Sequence, residues 1–190
     1  VDKEHKSQSI VGRFKDMIEF TDIMREYFLL YNGPECGASA PDHAHFQACS
    51  KEESMQGSYY DHIDLIDNDK VRISYEDFTY SFIRIQAKNK KTMSKTFHLI
   101  YDILAANNNG KEPMMNILAW YGLEITKEHF GKNYDDQFES VAEHPYNCII
   151  FLRSKHRPDC YYAKGDEQIL ISPAIAEMNG IFPIAVSYTH

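Results

Sequence analysis

The sequence predicts an α+β protein: an antiparallel sheet with helices packed on one side, assembled from two related halves. Three observations carry this. Two segments, about 13–28 and 91–106, place apolar residues three and four apart with charges between them, the spacing of an amphipathic helix. Around them lie short runs of alternating or continuous apolar character, bounded by Gly, Pro, Asn and Asp, the signature of strands. The order helix–strand–strand then occurs twice, as 13–28, 28–32, 43–49 and as 91–106, 114–121, 147–153, a weak internal repeat.

Residues 1–11 are polar and read as extended. In the first helix Phe14, Met17, Ile18, Thr21, Met24 and Phe28 share a face. Phe28 to Tyr31 is a short buried strand that runs into Asn32-Gly33-Pro34, a strong turn signal. From His43 to Cys49 the chain alternates, with His43, His45 and Gln47 on one side and Ala44, Phe46 and Ala48 on the other. Period two predicts a strand. Residues 50–70 read as a polar loop with a short strand around Tyr60–Ile66. Val71–Ala87 reads as one or two strands, with Ser81, Ile83, Ile85 and Ala87 on one face. In the second helix Met93, Phe97, Ile100 and Leu104 line up, and Asn107-Asn108-Asn109-Gly110 ends it. Met114–Tyr121 and Asn147–Arg153 are strands, separated by a charged excursion over 124–145 with a little helix. Gln168–Ile171 is expected as a short strand, Pro173–Met178 as one helical turn and Ile181–Val186 as a final strand. Asn32 and Asn116 take similar places in the two halves.

The 190 residues suit one domain, 1–190, with halves at about 1–66 and 70–190. A hydrophobic content of 43% and an aromatic content of 13% support a packed, sheet-containing core. The net charge of -8 argues against non-specific nucleic-acid binding, which wants a basic face. The longest apolar runs are about five residues, far short of the ~20 that span a bilayer, and no membrane partner is expected. There is no signal-peptide pattern at the start. Four cysteines, Cys36, Cys49, Cys148 and Cys160, form no Cys-x-x-Cys pair and read as free thiols in a reducing cytoplasm. The chain starts at Val1-Asp2 and enters structure almost at once; the expectation is a piece of a longer protein, with further strands before it.

The polar face at 43–47 is the candidate for chemistry. An imidazole is nucleophilic and near neutral in pKa, and it leaves readily once phosphorylated at nitrogen. Transfer of a nucleotidyl group needs a fixed tautomer, a donor to the non-bridging oxygens and dipoles that absorb charge. His45, in the middle of the face, is the expected nucleophile. Gln47 points the same way and offers a neutral amide to a phosphoryl oxygen. Gly37, Ala38 and Ser39 supply backbone N–H groups, and Ser39 a hydroxyl. Asn32 closes the loop or touches the phosphate, and His43 orients the site. The basic turn Arg153, Lys155, His156, Arg157 reads as a solvated turn, with an anion clamp as its functional alternative.

His43-Ala44-His45-Phe46-Gln47 resembles the His-x-His-x-Gln signature of the transferase branch of the histidine-triad (HIT-like) superfamily. That branch includes galactose-1-phosphate uridylyltransferase, diadenosine tetraphosphate phosphorylase and the plant GDP-galactose phosphorylases. Tyr31-Asn32-Gly33 and Cys36-Gly37-Ala38-Ser39-Ala40-Pro41 resemble the loop of the phosphorylases. Met115-Asn116-Ile117-Leu118, Phe151-Leu152-Arg153 and Ser172–Gly180 resemble their second-half strands and closing segment. The whole is similar to a bacterial group related to these transferases. The resemblance implies a HIT-like fold and a covalent nucleotidyl-histidine formed in a ping-pong double displacement. It maps the nucleophile to His45, whose other ring nitrogen donates to a main-chain carbonyl of the same strand, and the family glutamine to Gln47. The implied substrates are a nucleotide or nucleotide sugar and a phosphate-bearing acceptor. Some uridylyltransferases use the first histidine in a structural zinc site with two cysteines and another histidine; no Cys-x-x-Cys precedes His43, so zinc is kept only as an alternative and no cofactor is assigned. A homodimer is left open.

Three other readings compete. Gly37 followed by His43-x-His45 imitates a cupin metal motif, but Cys49 and Ser50 stand where its glutamate belongs. A non-catalytic nucleotide sensor would not need both His45 and Gln47. Hydrolytic relatives carry a histidine where Gln47 stands, which tilts the expectation from hydrolysis to transfer or phosphorolysis.

Overall fold

The computed structural model describes residues 5–38, 40–51, 62–77, 81–122 and 143–178. Helix α1 is Phe14–Ile23, with Phe14, Met17, Ile18 and Thr21 buried. It is shorter than the apolar spacing suggests. Met24 leaves helical geometry at φ -109°, ψ 63°, and the Tyr27 N–H closes a turn onto the Met24 carbonyl. Strand β1, Tyr27–Asn32, starts there. Phe28, in step with the helix pattern, belongs to the sheet instead. It packs edge-on against Trp120 with ring centroids 5.3 Å apart. Tertiary packing overrides a local period that fits both elements.

Further along the chain come β2 Gln47–Ser50, β3 His62–Asp67, β4 Val71–Asp77 and β5 Ser81–Ala87. Helix α2 spans Lys90–Ala106, with Asn89 as its N-cap accepting from the Thr92 N–H. Asn109 and Gly110, both at positive φ, turn the chain away from its end. β6 Met115–Tyr121 and β7 Tyr146–Leu152 complete the sheet, followed by the single turns α3 Asp159–Tyr162 and α4 Ile175–Met178.

The seven described strands form one antiparallel sheet in the order β2-β1-β6-β7-β5-β4-β3. The repeated order of elements is present. Hairpins β1–β2 and β6–β7 meet through β1 and β6, the second and third strands in that order, and each follows its own helix. Phe14 of α1 stacks on Phe97 of α2 at 3.6 Å. Asn32 and Asn116 are not equivalent positions, however. Asn32 ends β1, Asn116 lies near the start of β6, and the two face each other across the ladder.

The long helices α1 and α2 cover one face of the sheet, over Leu29, Tyr31, Ile85, Ile117 and Ile150. The other face is buried too: Phe28, Leu30, Leu118, Trp120, Ile149 and Phe151 form a second cluster, with Ile175 of α4 packed on it. Central strands buried on both sides read as continuous apolar runs, as β7 does. Gln168–Ile171 is irregular chain rather than a strand. Leu170 is 74% exposed, and the Ile169 N–H goes to the Cys160 carbonyl of the adjacent turn. The expected strand 181–186 and most of the excursion 124–145 lie outside the described residues. No described helix is long and apolar enough to cross a membrane.

Candidate functional site

The inward side of the expected alternation holds at Ala44 and Phe46 but not at Ala48, which is exposed, and the strand is shorter than expected. Ala44 is fully buried, Phe46 packs under the helices, and His45 is half-buried. Pairing with β1 is confined to Gln47–Ser50, opposite Tyr27–Leu30. Continued in the same register, His45 would face Asn32. The side-chain amide of Gln8 lies between them instead. Its Nε2 donates to the Asn32 carbonyl at 2.9 Å and to the His45 carbonyl at 3.1 Å, and its Oε1 accepts the His45 N–H at 2.9 Å. The Ala44 N–H pairs with the Lys6 carbonyl, and the Gln8 N–H with that of Pro41. Ala44 and His45 thus bond the segment 6–8 instead of the β1 ladder.

The His45 ring is fixed within this stretch. Nδ1 lies 2.8 Å from the His43 carbonyl oxygen. A carbonyl only accepts, so Nδ1 carries a proton, and in the neutral ring Nε2 holds the lone pair.

Gln47 is exposed, and its Oε1 accepts from Asn32 Nδ2 at 3.2 Å. Its NH₂ group has no partner among the described residues. Asn32 is 4% exposed, and its Oδ1 accepts from Asn116 Nδ2 at 2.6 Å and from the Ile175 N–H at 2.8 Å. Asn116, fully buried, also donates to the Cys36 carbonyl and accepts from Arg153 Nη1 at 2.9 Å. Arg153 donates further to the carbonyls of Pro173, Lys155 and His156. Gln47, Asn32, Asn116 and Arg153 are therefore linked in one relay from the sheet edge to the 153–175 segment. The bonds of Asn32 close the loop, and those of Arg153 brace it.

The loop 33–38 crosses the end of β6. The Gly33 N–H bonds the Met115 carbonyl, and Cys36 N–H that of Gly33. Gly37 sits at φ +85°, and a Cβ there would lie 2.7 Å from the Ala174 Cβ. Only glycine allows both that backbone and that approach. The N–H groups of Gly37 and Ala38 have no partner among the described residues. Ser39 lies outside the described residues. Burial pushes the Cys36 thiol up to about 11, away from nucleophilic character.

The basic turn divides. Lys155 pairs with Asp159 at 2.7 Å on the surface. Arg157 donates from Nε to Ser172 Oγ at 3.1 Å and stacks on Tyr161, 4.2 Å from its centroid. The His43 ring lies 4.7 Å from that of His5. Among the described residues no three His, Cys, Asp or Glu side chains gather as metal ligands.

Three supporting residues gave no sequence signal. Gln8 sits in a segment that reads as polar coil. Glu112 receives the Tyr31 hydroxyl on Oε1 and, on Oε2, the Ser9 hydroxyl and the Ile10 N–H, so it ties residues 9–10 to β1. Lys51, 1% exposed, ends β2 by donating from Nζ to the Tyr121 carbonyl at 2.6 Å.

A family model described as a domain of unknown function (DUF4922) matches residues 1–50. That span runs from the Gln8 segment through α1, β1 and the loop to β2. No curated protein and no solved structure gives a match.

Proposed function

We propose that the protein is a HIT-like nucleotidyltransferase that forms a covalent nucleotidyl-histidine at His45. The observation that carries this is the Nδ1–His43 carbonyl bond, which leaves Nε2 as a free nucleophile on a half-buried edge. Nε2 attacks the α-phosphorus of a nucleotide sugar or dinucleoside polyphosphate. The P–N bond forms as the bond to the leaving phosphate oxygen breaks, and that oxygen keeps the electron pair. A phosphate or sugar phosphate oxygen then attacks the same phosphorus, and the P–N electrons return to Nε2.

The outward NH₂ of Gln47 and the N–H groups of Gly37 and Ala38 supply donors for charge on the phosphoryl oxygens. When free phosphate is the acceptor, the reaction is a phosphorolysis. A nucleotide-sensing role without turnover would not require the free Nε2.

The test is incubation with each α-labelled nucleotide sugar and dinucleotide, then intact mass measurement. The expected result is an acid-labile increment of one nucleoside monophosphate in the wild type and none in His45→Ala. No adduct and no exchange with any donor contradicts the reading.

A further inference from the structure

We propose that Gln8 is the positioning residue of His45: its side-chain amide takes the ladder position between Asn32 and His45 and thereby holds the imidazole in one tautomer. A main-chain pair of His45 with Asn32 would continue β2 as extended strand. Successive carbonyls in such a strand point to alternate sides along the hydrogen-bonding direction. The His43 carbonyl would then be directed into the ladder or away from it, not at a side chain two residues on. In the structure that carbonyl is 2.8 Å from His45 Nδ1. What keeps the stretch out of the ladder is Gln8, which bonds both the N–H and the carbonyl of His45 and the carbonyl of Asn32.

Gln8 is 2% exposed. Its own main chain is anchored by the Pro41 carbonyl, and the next two residues by Glu112. The amide cannot be replaced by a carboxylate without loss, because Nε2 faces two carbonyl oxygens and must donate to both. Its catalytic meaning rests on His45 being the nucleophile of the proposed transfer; its effect on the tautomer does not.

The experiment has two arms. The first reads the ¹⁵N–¹H correlations of the imidazole rings in the wild type, in Gln8→Met and in Gln8→Glu. The wild type is expected to show His45 as a single Nδ1–H form and a slowly exchanging Gln8 side-chain amide. In the variants His45 is expected to populate the Nε2–H form. His98, whose Nδ1 faces the Ser94 carbonyl at 2.6 Å within α2, serves as the control and stays unchanged.

The second arm measures the rate of adduct formation. It is expected to fall about 100-fold in Gln8→Met, the scale of a misplaced reacting group, with donor affinity little altered. A folded Gln8→Met with an unshifted His45 tautomer overturns the proposal. So does a wild-type His45 found as Nε2–H, or a freely exchanging Gln8 amide, and these need no variant to fold. Absence of any adduct in the wild type would count against the transferase reading, while the first arm still decides what Gln8 does.

Discussion

Lys51 gives the fold a measurable pH signature. Burial pushes its amine from the ordinary 10.5 down to about 8, against a smaller opposing pull from Glu26. At about 1.4 kcal/mol per unit, keeping the folded amine charged costs roughly 3 kcal/mol. The sign follows from proton counts. Below pH 8 the amine is charged in both states and the full cost is present. Between about 8 and 10.5 the unfolded chain binds the proton and the folded chain does not, so stability rises with pH. Above 10.5 both are neutral and the cost is gone. Other groups oppose this at higher pH. Burial raises Cys36 to about 11, Tyr146 to about 12 and Cys148 further, so the folded state keeps protons that the unfolded state loses. Cys36 and Cys148 act alike in wild type and in Lys51→Met, so the two proteins are compared between pH 7.5 and 9. Urea unfolding there is expected to show the stability gap between them narrowing by about 1 kcal/mol as the pH rises. Lys51→Met itself loses stability across the window through the cysteines. At pH 7.5 it is more stable than wild type by roughly 1–2 kcal/mol, once the lost bond to the Tyr121 carbonyl is subtracted. Parallel pH profiles for the two proteins would refute the assignment of a strained, charged amine.

Two further substitutions probe the loop and its relay. Asn116→Ala removes the bonds to Asn32, Cys36 and Arg153 and leaves their polar atoms buried, for a loss of about 3–5 kcal/mol and roughly 10 °C in thermal melting; a loss below about 1 kcal/mol contradicts the relay. Gly37→Ala combines positive φ with a 2.7 Å clash against Ala174 and is expected to lose about 2–4 kcal/mol by urea unfolding. Gly110→Ala, at φ +73° with nothing within 4 Å, should lose only about 1 kcal/mol, and equal losses at both sites would remove the clash from the account.

Where the period of the sequence was compatible with one element alone, the fold was legible. Helix α2 is such a case, because its stripe of Met93, Phe97, Ile100 and Leu104 ends in three asparagines and a glycine. Helix α1 is the contrary case, since Phe28 continues its stripe and yet fills the opposite face of the sheet. The short apolar run at 168–171 looked like a strand because composition does not report whether a partner edge is within reach. At the site, the alternation of His43, His45 and Gln47 marked the polar face. It did not reveal that a glutamine 37 residues earlier in the chain occupies the ladder position opposite His45. Long-range side-chain pairing of this kind leaves no local pattern, and neither does a lone buried lysine.

The direction of every amide in the relay is fixed by its ends. Arg153 only donates, so Asn116 must offer it Oδ1 and turn Nδ2 inward. The Cys36 carbonyl only accepts, which agrees. The Ile175 N–H only donates, so Asn32 presents Oδ1 to it and to Asn116, and Nδ2 is left for Gln47. Gln47 must then turn Oε1 in and NH₂ out. A permanently charged guanidinium at one end and a main-chain N–H of α4 near the other thus orient a neutral amide at the exposed edge. No member of the relay titrates near neutral pH, so the orientation does not change there. A carboxylate in place of Asn32 could not donate to Gln47, and the exposed amide would lose its direction. This is the physical reason for neutral amides at three successive positions of the relay.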